Sequence, residues 1–141
     1  MEILQLKPPQ VTRAILDLLC QLGNTRSLTI SDAQLIIENQ INRNHLTYVL
    51  YKDGIPLGIG SIIISERLIR NGGIVGQIED VAIHKDHHNL GYGRMMIKHL
   101  VKTAKKNGAY KVILDCSAEN VNFYQRCGLM CYHTQMRLDL K

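Results

Sequence analysis

The run His88-Asn89-Leu90-Gly91-Tyr92-Gly93-Arg94 holds two glycines, a cation and the start of a long apolar-periodic segment, the parts of an anion site. The first amides of a helix have no intrahelical acceptors, and the aligned peptide dipoles leave positive charge there. Gly91 and Gly93 would let the backbone approach a phosphate and take unusual dihedrals, and Arg94 adds a cation. The glycines are spaced G-x-G with no third glycine, so the dinucleotide fingerprint does not fit. No G-x-x-x-x-G-K-[ST] loop occurs either. The spacing favours a pyrophosphate carried by some other group, with a plain glycine turn as the alternative.

Two other places carry carboxylates. Glu79-Asp80 lies inside the strand-like run Val75–Ile83, where alternation puts its side chains on opposite faces. Asp115 ends the apolar run Val112-Ile113-Leu114, a position suited to orient an attacking amine or take its proton. The alternative is an exposed strand-end aspartate. His84, His87 and His88 cluster near Asp86 without a helical His-x-x-x-His pair or a thiolate partner, so a solvated turn and no metal are expected. Cys20, Cys116, Cys127 and Cys131 contain no C-x-x-C pair and are expected as reduced thiols.

The elements that must hold these residues follow from periodicity. The 141 residues, 45% of them hydrophobic, suit a single domain over 1–141 with one core. Val11, Ala14, Ile15, Leu18, Leu19 and Leu22 mark one face of a helix from Val11 to Leu22, ended by Gly23-Asn24. A second helix is expected from Ser31 as N-cap. Leu46–Lys52 and Ile55–Ile64 read as a hairpin turning at Asp53-Gly54. Arg67–Gly73 is a basic loop and Val75–Ile83 a third strand. Met96, Ile97, Leu100, Val101 and Ala104 make Leu90–Asn107 the clearest helix, closed by Gly108. A strand at Lys111–Cys116, a helix at Ala118–Cys127 and a final strand or bent pair at Leu129–Leu140 complete a mixed α/β order.

The net charge of +5 suits CoA, a sugar phosphate or nucleic acid. The lysines are scattered over helix faces and no aromatic platform for base stacking is present, so no nucleic-acid partner is expected. Met1–Leu6 lacks the apolar core of a signal peptide, and no apolar run reaches the roughly 20 residues of a membrane span. A soluble cytoplasmic protein is expected.

Four segments then carry a resemblance to known enzymes. Ile83–Arg94 is similar to the acetyl-CoA signature Q/R-x-x-G-x-G/A of GNAT acetyltransferases, with His88 where Gln or Arg is usual. Gly76-Gln77-Ile78-Glu79-Asp80-Val81-Ala82-Ile83 resembles the G-H-I-E-D-I-A-V stretch of glucosamine-6-phosphate N-acetyltransferases. Tyr110–Cys116 looks like their Y-K-I-I-L-D-C strand, and Asn120–Gly128 like their N-V-x-F-Y-x-K-C-G-F helix. The segments keep the family's order and cover about half the chain.

The resemblance implies a GNAT fold, a mixed, mostly antiparallel sheet flanked by helices. It implies acetyl transfer from acetyl-CoA to glucosamine 6-phosphate in a ternary complex, with no acyl-enzyme. Asp115 would orient or deprotonate the amine, and Tyr124 would stabilise or protonate the departing thiolate. Val81, Ala82 and Ile83 would supply oxyanion amides. His88, Asn89, Leu90, Gly91, Tyr92, Gly93 and Arg94 would hold the pyrophosphate, and Asn120 the pantetheine arm. Glu79, Asp80, Arg67, Arg70, Lys111 and Arg137 would contact the sugar phosphate. Thr25 is a candidate for the family's N-terminal substrate-loop threonine. A homodimer with shared active sites is implied. Two other readings stay open: a GNAT enzyme acting on a protein or polyamine amine, and a non-catalytic CoA-binding or nucleic-acid-binding module.

Overall fold

The structure, a computed structural model, describes residues 1–141. Five strands form one sheet in chain order: β1 (Glu2–Gln5), β2 (His45–Lys52), β3 (Ile55–Glu66), β4 (Ile74–Ile83) and β5 (Ala109–Ile113). The first four run antiparallel, and β5 joins β4 in parallel. A parallel neighbour needs a long crossover, which helix α4 (Tyr92–Lys106) supplies. Helices α1 (Arg13–Leu18) and α2 (Ile30–Asn42) cover one face of the sheet. Helices α4 and α5 (Val121–Arg126) cover the other. A single irregular turn, α3 (Ile69–Gly72), interrupts the loop before β4.

Two cores result. Ile15, Leu16, Leu18 and Ala33 meet Val49, Ile59 and Ala82 on one face. Met96, Ile97, Leu100 and Ala104 meet Leu50, Ile62 and Ile78 on the other. Val49 and Leu50 enter opposite cores because successive strand residues point to opposite faces. Burying side chains such as Ile97 and Leu100 stabilises the domain by about 1.5–3 kcal/mol each.

Several boundaries differ from the sequence pattern. The helix expected over Val11–Leu22 is α1 followed by a tighter turn at Leu19–Gln21, and Leu16 is buried while Ala14 and Leu22 are exposed. Thr29, not Ser31, caps α2, its Oγ1 accepting the Asp32 amide at 3.0 Å. β1 was not expected, because its four residues are held by pairing with distant β2. β5 stops at Ile113 instead of Cys116, and the expected Ala118–Cys127 helix divides into a tight turn at Ala118–Asn120 and α5. The segment from Leu129 to Leu140 forms no strand. It pairs with none of the five strands of the sheet.

Candidate active site

β4 and β5 pair from Ile74/Ala109 only to Gln77/Ile113. Beyond that point the two strands part, and the stretch of β4 from Ile78 to Ile83 has an open edge toward β5. The His84 amide bonds the Leu57 carbonyl of β3 at 2.7 Å. Alternation therefore turns Ala82 toward β3 and leaves the amides of Val81 and Ile83 on the open side. Two of the three residues expected to supply oxyanion amides thus present them to the gap.

The open edge runs into the N-terminus of α4. Gly91 is its N-cap with φ 86°, a left-handed conformation that a side chain would strain. No side chain caps this end and no acidic residue occupies the first turn, while Arg94 stands within it. The free amides and the helix dipole fit an anion such as a pyrophosphate. The His88 Nε2–H donates to the Ile83 carbonyl at 2.8 Å and ties the loop to the end of β4. Asn89 and Leu90 are exposed at the loop surface, and Asn89 has φ 62°. Tyr92 is buried, with Lys52 Nζ 3.4 Å from its hydroxyl, so its backbone is what faces the loop. Gly93 takes ordinary helical dihedrals, not the unusual ones expected. It lies within α4, and a Cβ there would sit 3.0 Å from Phe123 Cζ, so its smallness lets α5 close against the helix start.

Glu79 and Asp80 do not alternate as a regular strand would. Ile59 pairs with Ala82 but Ser61 with Glu79, so β4 carries an extra residue opposite Gly60. Asp80 takes φ 52° within this bulge, which re-aims its side chain. Asp80 lines a cavity of about 100 Å³ beneath α1 and α2, with Thr25, Gln40, Thr47 and Ser61 among its walls. Glu79 Oε1 accepts from Gln77 Nε2 at 2.7 Å. Asp115, exposed just past β5, accepts from Gln135 Nε2 at 3.0 Å. Tyr124 of α5 is half-buried, edge-on to Phe123 at 4.9 Å. Burial, then the thiols of Cys116 and Cys127, push its phenol above the usual tyrosine range. Asn120 is exposed, its amide donating to Ser117 Oγ at 3.1 Å.

The basic residues gather elsewhere. The Arg70 guanidinium lies 4.4 Å from the Tyr110 ring centroid and Lys111 Nζ 5.4 Å from it. Arg67 donates to Ser65 Oγ at 3.1 Å, and its backbone amide closes the loop on Gly73. This group sits at the start of β4, six residues and roughly 20 Å of strand from Asp80. Arg137 is on the exposed C-terminal segment, paired with Asp139 at 2.7 Å. The chain does not bring these cations to its own Asp80.

Sequence reasoning missed four polar contributors. Gln21 reaches across 62 residues to the Ile83 carbonyl at 2.7 Å, bracing the loop between α1 and α2 against β4. Arg13 holds the same loop through the carbonyls of Thr25 and Leu28. The Thr25 hydroxyl itself donates to the Leu16 carbonyl at 2.9 Å. His45 and Ser61 lie behind the bulge, and neither motif nor spacing marks them.

Residues 13–129 match the model of the Acetyltransferase (GNAT) family. The glucosamine 6-phosphate N-acetyltransferase of Schizosaccharomyces pombe is 42% identical over 73 residues, 52% of this chain and 66% of that protein. The enzyme of the same name from Arabidopsis thaliana is 33% identical over 88% of this chain and 86% of its own. Four of the curated relatives are matched over less than two thirds of their lengths, at 66%, 56%, 57% and 33%. The crystal structure of the Arabidopsis thaliana glucosamine-6-phosphate N-acetyltransferase superposes with a TM-score of 0.92 at 30% identity, covering 99% of this chain and 98% of that one. With its parted strands, uncapped helix start and these matches, the chain belongs to the Acetyltransferase (GNAT) family, in the company of the glucosamine 6-phosphate N-acetyltransferases.

Proposed function

We propose that the chain transfers the acetyl group of acetyl-CoA to the amine of D-glucosamine 6-phosphate, giving N-acetyl-D-glucosamine 6-phosphate and CoA. One observation carries this reading: the open β4 edge lies between an uncapped helix N-terminus and a set of carboxylates, so an acyl donor and an amine can meet there. The relatives' shared name directs the choice of acceptor. The product would enter UDP-N-acetylglucosamine biosynthesis in the cytoplasm. No helix of the structure is long and apolar enough to cross a membrane.

In this reading the neutral amine attacks the thioester directly, and the amides of Val81 and Ile83 receive the developing oxyanion. Such donors are commonly worth about 3 kcal/mol each. Holding both reactants on one strand edge removes much of the entropic barrier. Asp115 and Asp80 orient the amine and draw off its proton. Tyr124 faces the departing sulfur. A cysteine-like thiol ionises near pH 8.5, about 1.5 units below an ordinary tyrosine, and burial widens the gap. Complete proton transfer from Tyr124 to the thiolate is therefore uphill, and a hydrogen bond to the sulfur is its role.

The working unit is a homodimer. Met130, Tyr132, Met136, Leu138 and Leu140 alternate with polar residues and are 79–92% exposed. That pattern belongs to a strand awaiting a neighbour. A second subunit would also supply phosphate-binding cations to an Asp80 whose own Arg70 and Lys111 lie a strand's length away. The test is CoA release with acetyl-CoA plus glucosamine 6-phosphate, against unphosphorylated glucosamine. Fast release only with the phosphorylated sugar supports the reading. Equal rates remove the phosphate assignment, and release only with protein or polyamine amines would redirect the acceptor.

A further inference from the structure

Ser61 of β3 is 3% exposed and sits where the β3–β4 register slips. Its Oγ lies 3.1 Å from the Glu79 carbonyl and 3.0 Å from His45 Nε2. A carbonyl cannot donate, so the single hydroxyl proton of Ser61 goes to Glu79. The hydroxyl oxygen then accepts, and the proton on His45 must be on Nε2. The result is a one-way chain, His45 Nε2–H to Ser61 Oγ–H to the Glu79 carbonyl, which leaves Nδ1 as the open ring nitrogen.

The Glu79–Asp80 peptide that this chain grips is the hinge of the bulge. Asp80 holds φ 52°, a conformation that costs a non-glycine residue free energy and persists only where its surroundings hold it. If this peptide rotated, the Asp80 carboxylate would turn and the following Val81 amide would leave the open edge. Burial lowers the affinity of His45 for a second proton, against the opposing pull of Asp80 and Glu79. Arg43, beside His45 at the end of α2, is the nearby cation. The neutral ring of the chain is thus the form the site favours.

We infer that His45 and Ser61 are positioning residues for the transfer: together they lock the Glu79–Asp80 peptide, so that Asp80 and the Val81 amide stay aimed at the reacting centre. This rests on the reading of the β4 edge as the site of acetyl transfer. Neither residue touches substrate; both act through the bulge. The ~100 Å³ cavity that Ser61 borders has room for one added methyl, so threonine can keep the hydroxyl in place.

The test compares Ser61→Ala, Ser61→Thr, His45→Leu and His45→Gln, each in kcat, in KM for both substrates and in Tm. Ser61→Ala and His45→Leu should lose about tenfold in kcat and raise the KM for glucosamine 6-phosphate, because small misplacements of reacting groups are costly. The KM for acetyl-CoA should stay within about twofold, since the pyrophosphate grip on α4 is untouched. Ser61→Thr and His45→Gln, which restore a hydroxyl and an N–H donor, should recover most of kcat. A purely structural pair would lower Tm and leave kcat per folded molecule unchanged, and that outcome overturns the inference. Nitrogen-15 NMR of the histidine ring gives a reading independent of catalysis. The Nε2–H tautomer, with Asp80 and Val81 amide signals that shift in Ser61→Ala, supports the lock even if the acceptor is a different amine. The Nδ1–H tautomer would refute it.

Discussion

Replacing Gly93 with alanine tests how α5 is held. An ideal Cβ at this position lies 3.0 Å from Phe123 Cζ and 3.1 Å from Cε1. Carbon atoms in ordinary contact sit about 3.5–4.0 Å apart, so the ring must retreat by roughly half an ångström or more. Overpacking of this kind costs about 1–3 kcal/mol. Alanine in a helix returns up to about 1 kcal/mol over glycine. The net loss should centre near 1 kcal/mol, a fall in Tm of about 3 °C for a domain of this size. Tyr124 follows Phe123 in α5, so the retreat also moves the phenol, and kcat should drop about fivefold to tenfold. Acetyl-CoA affinity should change little, because the α4 amides stay in place. Thermal unfolding, calorimetric binding and steady-state kinetics measure the three quantities. Adding Phe123→Leu removes the obstructing ring edge, and Gly93→Ala should then stabilise through helix propensity alone. If Gly93→Ala raises Tm with Phe123 intact, or leaves kcat unchanged, the close packing of α5 on the helix start is wrong.

Tyr124→Phe should lower kcat about tenfold or more with little effect on acetyl-CoA binding, read by pre-steady-state CoA release; since burial raises this phenol's ionisation, the alkaline fall in rate should not begin below the usual tyrosine range. Asp115→Asn should slow turnover and steepen the dependence on pH below the amine's ionisation, while an unchanged profile would deny it a part in amine handling. Removing residues 130–141 should convert the proposed dimer to a folded monomer without activity, seen by sedimentation and circular dichroism. Burial depresses the proton affinity of both His45 and His99 from the ordinary value of 6.5. The unfolded chain binds more protons just below that pH, so stability should be full above about pH 6.5 and decline as pH falls through it. Chemical denaturation at stepped pH should show this slope, and His99→Gln should flatten part of it.

Short-range signals identified most of the framework. The α4 stripe, the Asp53-Gly54 hairpin and the glycines around α4 each follow from local physics that one sequence exposes. The resemblance of the Glu79, Asp115 and Tyr124 segments points to the family from the residues alone. What stayed hidden depends on long-range partners. β1 is four residues held by a strand forty residues later. The bulge at Asp80 arises from the mismatch of β3 and β4, so no periodicity in β4 alone announces it. Gln21 and His45 are ordinary polar residues until folding brings Ile83 and Ser61 beside them. The alternation after Leu129 suggests a strand that the fold does not form, because a strand's neighbour is not written in its own residues.

The distance between the Arg70–Lys111 group and Asp80 has a genetic consequence. If each site takes its carboxylates from one subunit and its cations from the other, two inactive variants can rescue each other. A heterodimer of Asp115→Asn with an Arg70→Ala, Lys111→Ala chain holds one doubly defective site and one built wholly of wild-type residues. Random pairing of equal amounts makes half of all dimers mixed, so the mixture should regain about a quarter of wild-type activity. Two inactive alleles of this protein would then complement in one cell, and a map of which pairs do so would trace the subunit boundary through the site.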